Sequence, residues 1–303
     1  MHLYTHPACL LHSAGPGHPE SPARLHAVLE ALAGPRFAVL KRIEAPRATR
    51  EQLARVHDVA LIDRIFSTAP VDGFLQLDAD TTMCPDSLEA ALRAAGAVCA
   101  AVDAVIDGKT QRSFCAVRPP GHHATHDTAM GFCLFNNVAV GAAHALERGI
   151  ERVAIVDFDV HHGNGTQDIF YNEPRVLYAS THQSPLYPGT GQRGETGVGN
   201  IVNAPLRPRS GTAEFREAFD TIVLPALRAF QPQLLMISAG FDAHRLDPLA
   251  DLNLEAGDYA WATQQLVGVA SESAAGRIVS SLEGGYSPTA LRESTAAHVA
   301  ALL

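Results

Sequence analysis

Short apolar runs recur along the chain at residues 114–117, 153–158, 176–180, 234–238 and 278–282, and each gives way to polar and glycine-containing sequence. Runs of that length bounded by turn residues predict buried strands. Longer stretches with apolar positions at helical spacing lie between or beside them: 87–107, stopping at Gly108; 137–148, stopping at Gly149; 212–230; and 256–275. Pro225 falls inside the third and predicts a kink, since proline removes a backbone donor and crowds the preceding turn. Strands alternating with helices predict an α/β architecture around a mostly parallel sheet. Ligands of such sheets bind beyond the carboxyl ends of the strands. The polar clusters at 118–126, 157–165, 181–191, 239–247 and 283–287 all fall there, which predicts a single active site.

Composition narrows the class. With 303 residues and no linker, charge block or repeat, one domain over 1–303 is expected. Apolar residues make up 47% of the chain, enough for a large core. The balance of 23 basic to 32 acidic residues gives a net charge of −9 with no basic stripe, which argues against direct nucleic-acid binding. Five cysteines (Cys9, Cys84, Cys99, Cys115, Cys133) show no C-x-x-C spacing, and reduced thiols in a cytoplasmic protein account for them. The first residues lack a basic stretch followed by an apolar one, and no run of about 18 apolar residues occurs. Neither a signal peptide nor a membrane partner is expected. The Ala-, Leu- and Arg-rich composition fits a bacterial chain.

The candidate chemistry starts with Val156-Asp157-Phe158-Asp159-Val160-His161-His162-Gly163-Asn164-Gly165 and Ser238-Ala239-Gly240-Phe241-Asp242. Asp159 and His161 put two ligands on one side of the backbone just past an apolar strand. Asp242, at the end of another strand, completes a facial metal site with an open position. Zn²⁺ accepts two carboxylates and an imidazole, and Fe²⁺ or Co²⁺ would be accepted too. A lone Asp-X-His pair is more often a turn cap beside an ordinary loop histidine. The company of Asp157, His162, Gly163 and Gly165 favours the metal.

Arg118-Pro119-Pro120-Gly121-His122-His123 aims two histidines from one rigid turn, where an acid–base pair is the functional reading and two surface histidines the ordinary one. Glu283-Gly284-Gly285-Tyr286 offers a hydroxyl to an oxyanion, although Gly-Gly-Tyr is also a common loop. Gly131, Phe132 and Tyr187 are candidate walls of a narrow channel, and core packing would explain the aromatic pair equally well.

Together these segments resemble the histone deacetylase family, which includes bacterial histone deacetylase-like amidohydrolases and acetylpolyamine amidohydrolases. The motifs at 118–123, 131–137, 157–165, 239–242 and 283–286 stand in the family's order, and the likeness runs from about His18 to Tyr286. Residues 131–137 and Asn164 look more like the class II branch than class I. The resemblance implies an arginase/deacetylase-like single domain with a central, mostly parallel eight-stranded sheet flanked by helices. It implies Zn²⁺ on Asp159, His161 and Asp242, and His122 and His123 as the acid–base pair, with Asp157 orienting His122. Asn164 stands where many class I members carry an aspartate, which makes His123 the more easily neutral histidine and the better base. Tyr286 matches the oxyanion-stabilising tyrosine. A structural K⁺ would be held by Asp157, the backbone carbonyls of Asp159, His161 and Thr181, and the Ser180 hydroxyl. Gly131, Phe132 and Tyr187 match the acyl-lysine channel. Leu249 matches a rim position where polyamine-preferring members place a glutamate. Arg24 matches an arginine near the acetate-release cavity. The rim aspartate that grips the substrate backbone is expected within 78–85, with Met83 at the nearest position.

The implied function is hydrolysis of an N-acetyl- or N-acyl-lysine amide by attack of metal-bound water, on an acylated lysine peptide or protein. Deacylation of a polyamine or other small acylated amine is the nearest alternative, and Leu249 weighs against it because leucine does not attract a second ammonium group. A catalytically silent acyl-lysine-binding protein is more distant. A two-manganese ureohydrolase on the same fold would need aspartates beyond the single ligand set found. Oligomeric state, a homo-oligomer included, stays open at this point.

Overall fold

The computed structural model describes residues 1–303. Ten strands are present: β1 (His2–Thr5), β2 (Lys41–Glu44), β3 (Leu75–Gln76), β4 (Thr82–Met83), β5 (Arg112–Cys115), β6 (Val153–Asp157), β7 (Val176–Gln183), β8 (Ile201–Leu206), β9 (Leu234–Ala239) and β10 (Ile278–Leu282). Eight form one sheet in the order β2-β1-β5-β10-β9-β6-β7-β8, and every pairing in it is parallel. The remaining β3 and β4 make a small antiparallel hairpin.

β6, β9 and β10 are buried along their whole length. Helices cover the sheet, so these strands read as continuous apolar runs rather than as alternation. Helices Ser87–Ile106 and Asn137–Glu147 pack on each other and lie against β1, β5, β6, β9 and β10. Helix Ala256–Ser273 packs on Pro288–Leu302 and reaches β9. The chain runs outward through β6, β7 and β8 and then returns to insert β9 and β10 between β5 and β6. That return places the five strand ends bearing the polar clusters side by side. Asp157 stands level with Ser180 on one side and Ser238 on the other, and Leu282 with Ala239, so the loops leave the sheet at one height.

Several elements differ from expectation. The first predicted strand ends at Cys115; Ala116 and Val117 are fully buried beneath the site but lie past the paired segment. Strands β1, β2 and β8 carry too much polar sequence to stand out: β2 is largely exposed and β8 contains Asn203 and Pro205. Around Pro225 the helix widens rather than simply kinking. Segments Thr212–Ala218 and Leu224–Phe230 are joined by a π-helical turn, Phe219–Val223, in the turn where the proline withholds its donor.

The N-terminal segment is fixed under the sheet's active end by a buried ionic cluster. Glu20 accepts from Arg118 Nε at 2.5 Å and Nη2 at 2.6 Å, from Arg24 Nη1 at 3.0 Å, and lies 3.2 Å from His12 Nε2. Arg118 also donates to the carbonyls of Cys9 and His12, and Arg24 to those of Glu283 and Gly285. Burial opposes the Glu20 charge, but Arg118 and His12 hold its carboxyl well below the usual range. Removing one partner of a buried ion pair typically costs about 3–5 kcal/mol. Glu20→Gln should lower the unfolding free energy by that order at pH 7, measured by urea denaturation. The folded carboxyl is depressed, so its contribution is present above the unfolded value, roughly 4.3, and lost as pH falls towards the folded one. The gap between wild type and variant should therefore shrink on acidification; a gap that widens contradicts the assignment.

Candidate active site

Asp159, His161 and Asp242 are buried, and each offers a ligand atom within 4.8 Å of the others. His161 Nδ1 lies 3.2 Å from both Asp159 Oδ1 and Asp242 Oδ2. The outer lone pairs of the carboxylates are held by backbone: Asp159 Oδ2 accepts from Gly284 N at 2.8 Å, and Asp242 Oδ1 from Val160 N at 2.8 Å. Burial works against charge on His161, yet its bonds to the two carboxylates raise it to about 10. Asp242 is raised by burial and by the neighbouring Asp159 charge. Two buried carboxylates and one imidazole nitrogen converge on a single point, and a divalent cation there would neutralise both carboxylates. The seat also has a floor that only glycine can line: a Cβ on Gly284 would stand 2.1 Å from Asp242 Oδ2 and 2.5 Å from Asp159 Oδ2.

Asp157, last residue of β6, lies behind this seat. Its Oδ2 is 3.0 Å from His122 Nδ1 and accepts from the Tyr178 hydroxyl at 3.0 Å; its Oδ1 accepts from Asp159 N at 3.1 Å. Ser180 faces it across the β6–β7 pairing, and the next residue, Thr181, keeps a buried hydroxyl with no hydrogen-bond partner.

The rings of His122 and His123 lie 4.0 Å apart. Glu283 fixes the turn that carries them, accepting from Gly121 N at 2.7 Å and His122 N at 3.1 Å. His123 Nδ1 is 2.8 Å from Asn164 Oδ1, on the first turn of helix Asn164–Phe170. The two rings diverge electrostatically. Burial disfavours charge on His122, but Asp159 and Asp157 overcome it and hold the ring well above its ordinary value. Burial and the positive charges of His122 and His161 push His123 well below it.

A cavity of about 190 Å³ opens above the metal seat, lined by Asp80, His123, Gly131, Phe132, His161, Leu186, Tyr187, Leu249 and Tyr286. Gly131 and Phe132 both take left-handed backbone, φ +58° and +68°. Gly131 has a second reason to lack a side chain, because a Cβ would meet the His123 ring at 2.5 Å. The pair is clamped from the hairpin loop: Asp80 Oδ1 accepts from Gly131 N at 3.1 Å and Thr81 Oγ1 from Phe132 N at 3.0 Å. Phe132 meets the Tyr286 ring edge-on at 5.8 Å, and Tyr187 meets His123 at 5.2 Å. Burial, with Asp242 and Asp159, outweighs Arg24 and lifts Tyr286 well above its ordinary value, so the phenol is protonated at neutral pH. Arg24 is buried below it, 4.8 Å from the ring centre.

The acid at the rim is Asp80. Met83 does not stand there: it is fully buried in β4, where alternation turns its side chain into the core. Asp80 was readable in principle, since Asp78-Ala79-Asp80-Thr81 between two short strands has the side chains that cap turns. Leu186 and Glu283 were also missed as contributors, Glu283 because a carboxylate that binds backbone N–H groups across the site leaves no local spacing.

Gly284→Ala should weaken divalent-metal affinity by about ten- to a hundredfold, the usual range for damage to the residues supporting a metal's ligands, read by competition with a chelating dye. Unchanged affinity would show that Asp159 and Asp242 do not form the seat. The comparisons agree with this geometry. Residues 18–302 match the histone deacetylase domain. The chain is 41% identical over 305 residues to the histone deacetylase-like amidohydrolase of Pseudomonas aeruginosa, covering 92% of this chain and 80% of that one. It is 39% identical over 289 residues to a probable deacetylase of Archaeoglobus fulgidus, covering 93% and 80%. The crystal structure of the HDA15 HD domain superposes with a TM-score of 0.93 at 37% identity, over 100% of this chain and 90% of that one. The chain therefore belongs to the histone deacetylase family of metal-dependent hydrolases, and its fold is that family's.

Proposed function

We propose that this deacetylase-family hydrolase is a zinc-dependent deacylase acting on N-acyl-lysine in a peptide or protein. The observation that carries the reading is the narrow cavity, walled by Phe132 and Tyr187 and ending at His123, His161 and Tyr286. An extended aliphatic chain fits between aromatic walls, and only its far end meets polar groups. Asp159, His161 and Asp242 would hold zinc, which when bound would supply a Lewis acid and lower the pKa of a water towards about 7. Fe²⁺ or Co²⁺ would suit the same donors. Asp157, Ser180 and Thr181 are suited to a structural K⁺ that offsets the charge of Asp157.

The protein's own groups then divide the work. His123 is the neutral ring; its Nδ1 is engaged by Asn164, which leaves Nε2 to take a proton from the attacking water. His122, held charged by Asp157, stabilises the developing negative charge and provides the proton that the leaving amine needs. Tyr286 keeps its proton and donates to the carbonyl oxygen as it becomes an oxyanion. Asp80 stands at the mouth with one carboxylate oxygen free of protein partners, an acceptor for a peptide N–H. Leu249, apolar at the same rim, offers nothing to a second ammonium group and favours a peptide over a polyamine, while the Asp80 oxygen would accept from either.

Tyr286→Phe should cost about 10²–10³ in kcat, the usual loss for one oxyanion donor, with metal content unchanged; full activity would remove Tyr286 from the mechanism. Metal-loaded protein should show a higher kcat/KM for an acetyl-lysine peptide than for an acetylated polyamine. The reverse order would move the substrate assignment to small acylated amines.

A further inference from the structure

Asp247 is buried, at 7% exposure, and the chemistry above gives it no part. It lies in the turn after β9, between Asp242 and Leu249. Each of its oxygens accepts from a different loop: Oδ2 from Tyr286 N at 2.7 Å and Oδ1 from Leu249 N at 3.0 Å. Its own N–H donates to the His244 carbonyl at 2.8 Å, which closes the turn. Tyr286 and Leu249 both line the channel, so one carboxylate ties together two of its walls.

The loop after β10 is otherwise anchored before Tyr286 rather than at it. Phe241 N donates to the Gly284 carbonyl at 3.0 Å, and Arg24 holds the Glu283 and Gly285 carbonyls. Gly285, at φ +118°, is the bend before the tyrosine. The peptide that follows it is held at both ends, its carbonyl by Arg24 and its N–H, at the root of the tyrosine side chain, by Asp247. Burying a carboxylate is costly, and a residue needed only to fill the turn would not require two acceptors.

We infer that Asp247 is a positioning residue for the reaction: it sets the Tyr286 hydroxyl against the reacting carbonyl and fixes the channel wall at Leu249. This rests on the reading of Tyr286 as oxyanion donor. In Asp247→Asn the shape is kept but one acceptor becomes an amide N–H facing a backbone N–H, so one of the two bonds is lost.

The test is a double-mutant cycle with Tyr286→Phe on metal-loaded protein, with metal content and melting temperature measured for each variant. Asp247→Asn alone should lower kcat about ten- to a hundredfold, less than outright loss of an oxyanion donor, and raise KM for the acyl-lysine peptide. In the Tyr286→Phe background it should lower kcat no further while still raising KM. An equal fractional loss of kcat in both backgrounds, or no loss in the single variant, overturns the inference. Full activity in Tyr286→Phe alone is a distinct result: it sinks the underlying reading and takes the inference with it. Should Asp247→Asn fail to fold, Asp247→Ser, which keeps one short acceptor, carries the same comparison.

Discussion

Five carboxylates, those of Asp157, Asp159, Asp242, Asp247 and Glu283, are buried together beyond the ends of β6, β9 and β10. A carboxylate taken out of water is tolerated only with its lone pairs filled. Here the donors are largely backbone N–H groups of neighbouring loops: Gly284 for Asp159, Val160 for Asp242, Gly121 and His122 for Glu283, Leu249 and Tyr286 for Asp247. The loops after β5, β6, β9 and β10 are consequently tied to one another by the acids they surround. What the N–H groups leave over is charge. Burial raises Glu283 and Asp247 to about 7, and neighbouring carboxylates add to the shift. A divalent cation at Asp159 and Asp242 would relieve that repulsion, and the loops that form the seat are held by the same acids.

The same crowding separates two chemically identical side chains. His122 and His123 are adjacent in sequence and 4.0 Å apart in space, yet one is driven towards imidazolium and the other towards imidazole. Asp159 and Asp157 lie against His122, whereas His123 is buried beside the charges of His122 and His161 and has only the Asn164 amide at Nδ1. An amide oxygen fixes the ring's orientation but, carrying no net charge, favours the imidazolium less than a carboxylate does. The proposed acid and base leave the sheet on one turn, which Glu283 grips through Gly121 N and His122 N.

Legibility in the sequence followed how local each signal is. The central strands β6, β9 and β10 were evident because burial on both faces demands mostly apolar sequence, broken only by Asp157, Ser238, Ser280 and Ser281. The ligand trio and the histidine pair were evident because Asp-X-His and Pro-Pro-Gly-His-His are improbable as packing. The edge strands β2 and β8, and β1 beside the β2 edge, are short or polar and were silent. Within 78–85 Asp80 was not singled out, because its place on the cavity wall depends on a bond from Gly131 N, 51 residues away, that no local pattern announces. Glu20 likewise acquires its meaning only when Arg118 and Arg24 converge on it. In each case the hidden part is a long-range bond between a buried polar side chain and a distant loop.

Asp159, His161 and Asp242 form the proposed seat for one catalytic metal. The direct measurement is acetate release from an acetyl-lysine peptide by protein stripped with a chelator and then titrated with zinc. Release should vanish on stripping and return in proportion to added zinc, saturating at one equivalent per chain. Acetate release at the full rate from the stripped protein would contradict the account.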